Sequence, residues 1–193
     1  MKNISIVLSG VGGQGIVLAS DLIGEVALIH GFDVKKADVH GMAQRGGSVV
    51  SHVRFGEKVF SPLVEKGKAD ILCAFEPLEM LRYIDYVNKN SYIFFNTEKI
   101  YPLTVFWGKI PYPDNPEKIA LQYSNNVYKI EALSIAKKLG IQRVINLVML
   151  GAISSLLPFS EDEWNEAISK KIRPEFIEEN KKAFIMGREV INC

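Results

Sequence analysis

Two glycine-rich segments hold the residues whose types and spacing suit chemistry. The first, Ser9-Gly10-Val11-Gly12-Gly13-Gln14-Gly15, follows the apolar run Ile4 to Leu8 and leads into the apolar stretch Ile16 to Ile29. A strand, a glycine turn and a helix start in that order bring backbone close to a ligand. They also aim the free N–H groups of the first helical turn at an anion. The second, Gly41-Met42-Ala43-Gln44-Arg45-Gly46-Gly47-Ser48, gathers a guanidinium, a hydroxyl and backbone amides in one short run. The planar fork of arginine suits a phosphate or a carboxylate. The pair predicts a polyanionic ligand held from two sides, by Gly12, Gly13, Gln14 and Gly15 and by Gln44, Arg45, Gly46, Gly47 and Ser48. Gln14 reads as a polar donor aimed at the same place. Asn96 at a strand end and Asn146 at a helix start are further candidate contacts, with an Asx turn and an N-cap as their ordinary alternatives.

Other chemical groupings are weaker. His40 precedes the second loop and offers a proton carrier or a ribose contact. His52 alternates with Arg54 on a strand and is expected on an exposed face. His30 sits where a helix ends, a favourable place for a positive charge. Glu76, Glu79 and Arg82 read as a helix-surface ion pair. The three histidines and two cysteines show no metal-ligand spacing, and neither a Gly-x-Ser-x-Gly elbow nor a Gly-Asp-Gly diphosphate motif occurs. No metal and no catalytic residue is predicted. Cys73 lies in the apolar run Ile71 to Phe75 and Cys193 is the last residue. Two cysteines are too few for a four-thiolate iron–sulfur cluster.

Elements that position the loops follow from periodicity. Gly31 caps the first helix, and Phe32 to Val39 reads as a second strand. From Ser48 to Phe55 the residues alternate, and Gly56-Glu57 before Lys58-Val59-Phe60 predicts a hairpin turn, so part of the sheet is antiparallel. Ala69 to Phe75 is a buried strand followed by a helix opening at Glu76-Pro77. Tyr92 to Phe95 is another strand, Asn115-Pro116-Glu117 opens a short helix, and Val127 to Ile130 is an edge strand. Helices are expected over Glu131 to Leu139, Asn146 to Leu157 and Pro174 to Ile191. Ser160 and Glu163 form a capping box for one more. Strands alternating with helices predict an α/β fold of three layers, α/β/α, with a mixed, mostly parallel sheet and a β-hairpin. In such sheets ligands bind at the carboxyl ends of the strands, where both glycine loops fall.

The 193 residues suit one domain spanning 1–193. With 48% hydrophobic and 23% charged residues the composition is that of an ordinary globular chain. A formal charge of +1 without any lysine or arginine block excludes nucleic acid as the expected partner. No run reaches the roughly 18 apolar residues that span a bilayer, and no signal peptide is apparent. A cytoplasmic protein is expected, with no membrane partner.

On these residues the chain resembles the gamma-type subunits of 2-oxoacid:acceptor (ferredoxin) oxidoreductases, most strongly the small beta subunit of indolepyruvate:ferredoxin oxidoreductase. The resemblance runs over nearly the whole chain. It is carried by Gly12 to Gly15, by His40 to Val49 with its Gln44-Arg45-Gly46-Gly47 element, by Ser61-Pro62-Leu63, Ala69-Asp70, Phe75 to Arg82 and Asn96-Thr97, and by Asn146 with Leu150-Gly151-Ala152. It implies the gamma-domain fold of pyruvate:ferredoxin oxidoreductase. It also implies a multisubunit enzyme that decarboxylates a 2-oxoacid oxidatively with coenzyme A, giving acyl-CoA and CO2 and passing electrons to ferredoxin. Thiamine diphosphate and the iron–sulfur clusters are then expected on larger partner subunits. This chain is expected to contribute coenzyme A binding and assembly, and to be inactive alone. From the residues themselves two other readings stay open. One is a stand-alone NAD(P)-dependent oxidoreductase, suggested by Gly10, Gly12, Gly15 and an acid at Asp33 or Asp38. The other is a nucleotide-binding scaffold, suggested by the aromatic and proline-rich segment from Tyr101 to Pro116.

Overall fold

The structure is a computed structural model, and it describes residues 3–41, 46–102 and 111–191. In chain order the strands are β1 (Ile4–Val11), β2 (Asp33–His40), β3 (Ser48–Gly56), β4 (Ile71–Ala74), β5 (Tyr92–Asn96) and β6 (Asn126–Ile130). The helices are α1 (Ile16–Ile29), α2 (Pro77–Arg82), α3 (Pro116–Ala120), α4 (Ala132–Lys138), α5 (Ile145–Ser154), α6 (Glu161–Lys171) and α7 (Ile177–Glu189). The strands form one sheet in the order β2-β3-β1-β4-β5-β6. β1, β4, β5 and β6 run parallel to one another, whereas β3 runs antiparallel to both β1 and β2.

Two apolar clusters flank this sheet and define the three layers. Ile6, Leu8, Val53, Phe55, Cys73 and Phe94 point to one face, where α1 and α4 to α7 cover them. Val7, Val50, Leu72, Ala74, Ile93 and Phe95 point to the other, under α2 and α3. Successive residues of β1 therefore serve opposite layers, the period-2 pattern of a strand buried on both sides. The α/β/α expectation holds, and no described helix is long and apolar enough to cross a membrane.

Local signals explain most element ends. Gly31 and Gly140 adopt φ of 90° and 74° after α1 and α4. The Ser160–Glu163 capping box is present at α6, and Asn115 caps α3 through the Lys118 amide. The expected hairpin is displaced. Residues 58–60 form no strand, because β1 already occupies the β3 edge that they would need. The chain turns away instead, with the Val59 amide held by Asp33 Oδ2 at 2.9 Å and the Lys58 carbonyl by Asn3 Nδ2 at 2.9 Å. The hairpin is β2–β3, and the second glycine segment is its loop.

Candidate functional site

The first glycine loop leaves β1 at its carboxyl end, and Val11 is the register partner of Ser48 at the start of β3. The loop that joins β2 to β3 therefore emerges beside it, at the same sheet edge. The Gly12 amide donates to the Gly47 carbonyl at 2.8 Å, and the Gly41 amide donates to the Ser48 carbonyl at 2.9 Å. Gly12 to Gly15 and Gly46 to Ser48 are thus brought together. Gln44 and Arg45 lie outside the described residues.

The first loop has the backbone that an anion needs. Gly13 and Gly15 take φ of 106° and 81°, a region closed to most side chains. A Cβ on Gly13 or Gly46 would meet nothing within 4 Å, so both glycines border open space. Gly15 is enclosed, and a Cβ there would lie 2.7 Å from Asn146 Nδ2. The amides of Gly13 and Gly15, and those of the first turn of α1, have no partner among the described residues.

Two expected contacts have other work, and a third is left with an unpartnered atom. Gln14 does not point its amide outward: Oε1 accepts from the Val11 amide at 2.8 Å and Nε2 donates to the Phe75 carbonyl at 2.8 Å. It ties the loop to the ends of β1 and β4, and Gly10 makes room for it, since a Cβ there would lie 2.8 Å from Oε1. Asn96 is fully buried; Nδ2 donates to the same Phe75 carbonyl at 3.3 Å and Oδ1 accepts from the Ala132 amide at 3.2 Å. Asn146 is no N-cap, being the second residue of α5; it is 4% exposed, packs on Gly15 and leaves Oδ1 without a partner.

The acid expected for a nicotinamide ribose is out of place. In this sheet β3 lies between β1 and β2, so the end of β2 is one strand spacing, about 4.8 Å, farther from the first loop than a neighbouring strand would put it. Asp38 accepts from the Ser51 hydroxyl at 2.6 Å and pairs with Lys36 at 3.0 Å. Asp33 starts β2 at the opposite edge and pairs with Lys35.

Residues 5–190 match the family model described as pyruvate ferredoxin/flavodoxin oxidoreductase. The chain belongs to this family. The indolepyruvate oxidoreductase subunit IorB of Thermococcus kodakarensis is 41% identical to it over 192 residues, covering 97% of this chain and 95% of that one. The subunit of the same name from Pyrococcus horikoshii is 37% identical over 201 residues, with full coverage of both. Among solved structures, the gamma subunit of the keto/oxoacid ferredoxin oxidoreductase from Geobacter sulfurreducens superposes with a TM-score of 0.72 at 23% identity, covering 98% of each chain. The 2-oxoglutarate:ferredoxin oxidoreductase of Magnetococcus marinus, solved with 2-oxoglutarate, coenzyme A and succinyl-CoA, gives 0.76 at 24% identity over all of this chain and 31% of that one. The gamma-subunit fold expected from the resemblance is the one found.

This member of the pyruvate ferredoxin/flavodoxin oxidoreductase family also has a buried polar cluster behind the loops that its sequence did not reveal. Glu76 and Glu79 are 1% and 3% exposed and do not form a plain surface pair. Glu76 caps α2: Oε2 accepts from the Glu79 amide at 2.9 Å, while Oε1 accepts from the Tyr112 hydroxyl at 2.6 Å and the Ile100 amide at 3.2 Å. Burial and the Glu76 carboxylate push the Tyr112 phenol up, so it stays a donor. Glu79 accepts from the Ser48 hydroxyl and pairs with Arg82. Its burial raises the carboxyl, while Ser48 and Arg82 hold it down. In sequence the one trace of this cluster is two glutamates three residues apart around the Pro77 helix start, which also fits an exposed first turn.

His52, expected on an exposed face, is 4% exposed. Its Nδ1 accepts from the Val64 amide at 3.3 Å, and its ring stands edge-on to Tyr86. The segment after β3 folds back over that face, which strand alternation does not foretell. His40 ends β2 and is exposed. Cys73 is fully buried and its thiol is pushed up to about 12, so it remains neutral. No group of three or more metal-ligating side chains occurs among the described residues.

Proposed function

We propose that this chain is the small subunit of an indolepyruvate or related arylpyruvate:ferredoxin oxidoreductase and holds coenzyme A on its paired glycine loops. The observation that carries the reading is the Gly12–Gly47 hydrogen bond, which fuses the two loops at the carboxyl edge of the sheet. Coenzyme A carries a diphosphate and a 3′-phosphate, and unpartnered amides at Gly13, Gly15 and the start of α1 supply donors for one of them. Arg45 and Gln44 are the side chains assigned to the other loop. Gly46 offers open space, and Asn146 lies beside Gly15. Ser48, Gln14 and Asn96 act by shaping the site, since their polar atoms are bonded within the protein.

Decarboxylation and electron transfer are assigned to partner subunits that carry thiamine diphosphate and the iron–sulfur clusters, with ferredoxin as acceptor of the complex. The chain's own residues fit that division: its described cysteine is a buried neutral thiol, and two cysteines cannot supply a four-thiolate cluster. The full sequence relationship to IorB subunits supports the aryl oxoacid. The 37 to 41% identity spans 95 to 100% of each chain, which is the coverage expected of equivalent subunits. A cytoplasmic site of action accords with this role.

Co-expression with the larger subunit tests the proposal. Copurification, 2-oxoacid oxidation that saturates with coenzyme A, and loss of that saturation in Arg45→Ala are the expected results. Saturable binding of NADH with no response to coenzyme A overturns it.

A further inference from the structure

The carboxylate of Glu79 on α2 serves two groups at once. Oε2 takes the Ser48 hydroxyl at the exit of the second glycine loop, and Oε1 takes Nε of Arg82 at 3.1 Å. Because the Ser48 proton lies on Glu79, the Tyr83 hydroxyl 3.2 Å away is the donor to the serine oxygen. The one Ser48 proton is therefore spent, and the residue offers none to a ligand.

Arg82 is the opposite case. It spends Nε on the ion pair, and its Nη1 and Nη2 groups have no partner among the described residues. Its side chain is 49% exposed while that of Glu79 is 4% exposed. An exposed helix pair at i,i+3 contributes only tenths of a kcal/mol and fixes nothing. Here the carboxylate is buried and held from behind by Ser48, and the Glu79 backbone amide is fixed by the Glu76 cap, so the guanidinium is aimed by a rigid partner. A guanidinium tethered at Nε presents its paired Nη edge outward, the edge that meets two oxygens of a phosphate. One carboxylate group separates that guanidinium from the second loop.

We propose that Arg82, on α2 and one carboxylate away from Ser48, is an anion-binding residue of the site, taking a phosphate of the bound nucleotide on its Nη groups, with Glu79 behind it as a positioning residue. The proposal rests on the reading that the paired loops hold coenzyme A. Either the 3′-phosphate or the diphosphate offers the required oxygens. Coenzyme A without its 3′-phosphate separates the two.

The test uses the assembled complex and measures both turnover and direct coenzyme A binding by equilibrium dialysis. Arg82→Gln is expected to raise the KM and Kd for coenzyme A about tenfold, with kcat within about twofold and unfolding temperature unchanged. Arg82→Lys recovers part of the loss. If the contact is to the 3′-phosphate, Arg82→Gln leaves binding of dephospho-coenzyme A unchanged; if it is to the diphosphate, both ligands weaken alike. Glu79→Gln is expected to weaken coenzyme A binding less than Arg82→Gln and to add nothing in the Arg82→Gln background. A Glu79 effect of equal size with and without Arg82 removes the positioning role. Wild-type binding by Arg82→Gln alongside weakened binding by Arg45→Ala overturns the assignment of Arg82 and leaves the loops standing. Wild-type binding by both variants overturns the loop reading itself.

Discussion

The Gly12 amide and the Gly47 carbonyl, 2.8 Å apart, make one unit of two loops that are 35 residues apart in sequence. Neither strand spacing nor helix periodicity encodes that contact. It arises because β3 returns antiparallel along β1, so that Val11 and Ser48 end in register. The carbonyl of Gly47 turns toward Gly12, and the Gly13 amide next to it is left without a partner. The bond that holds the loops together thus leaves the Gly13 donor unspent.

Gln14 sustains that geometry through backbone contacts, which gives its substitution a definite signature. Gln14→Ala removes the bonds to the Val11 amide and the Phe75 carbonyl, and is expected to cost about 1 to 3 kcal/mol in urea unfolding. Gln14→Glu keeps the acceptor for Val11 but sets a carboxylate against the Phe75 carbonyl, so it should be at least as damaging. A Gln14→Glu protein of wild-type stability that has lost coenzyme A binding would instead make Gln14 a ligand contact.

His52 should make the protein sensitive to mild acid. Burial depresses its pKa from the ordinary 6.5, and its Nδ1 is already an acceptor for Val64. Above pH 6.5 folded and unfolded chains are both neutral at this site. As pH falls below that value the unfolded chain takes up the proton first, so stability is present above the unfolded pKa and is lost as pH falls toward the folded one. One proton limits the slope to about 1.4 kcal/mol per pH unit. Urea midpoints of the wild type and His52→Asn, which retains an acceptor, should diverge from one another between pH 7 and 5. Parallel curves for the two would refute the assignment.

Much of this architecture was legible because the decisive signals are local. Gly31 and Gly140 at helix ends, Pro77 and Pro116 at helix starts, and the Ser160–Glu163 box each act within a few residues. The glycine loops were legible for the same reason. What escaped depends on packing between distant segments. The hairpin was assigned to Gly56-Glu57 because nothing local shows that β1 would fill the edge of β3. His52 and Arg54 alternate alike, yet the fold-back near Val64 buries only the former. Glu79 looked like a surface acid because its partner Ser48 lies 31 residues away. Gln14 looked like a ligand donor because Phe75 lies 61 residues away.

The Gly151-Ala152 element that contributed to the family resemblance has a structural explanation with a measurable consequence. A Cβ on Gly151 of α5 would lie 2.0 Å from the Phe184 carbonyl oxygen of α7, and one on Gly187 would lie 2.0 Å from the Val148 carbonyl oxygen of α5. The two helices touch backbone to backbone, and neither contact can be relieved by turning a side chain. A methyl group at either place must push apart helices that bury Val148, Leu150, Ala183 and Phe184. Gly151→Ala and Gly187→Ala are each expected to cost about 2 to 3 kcal/mol. For a domain of this size that lowers the unfolding temperature by roughly 5 to 10 °C. Because both methyl groups act on one helix crossing, the double variant should lose less than the sum of the single losses. Calorimetry of the three variants checks this, and strictly additive losses would show that the two glycines serve separate contacts.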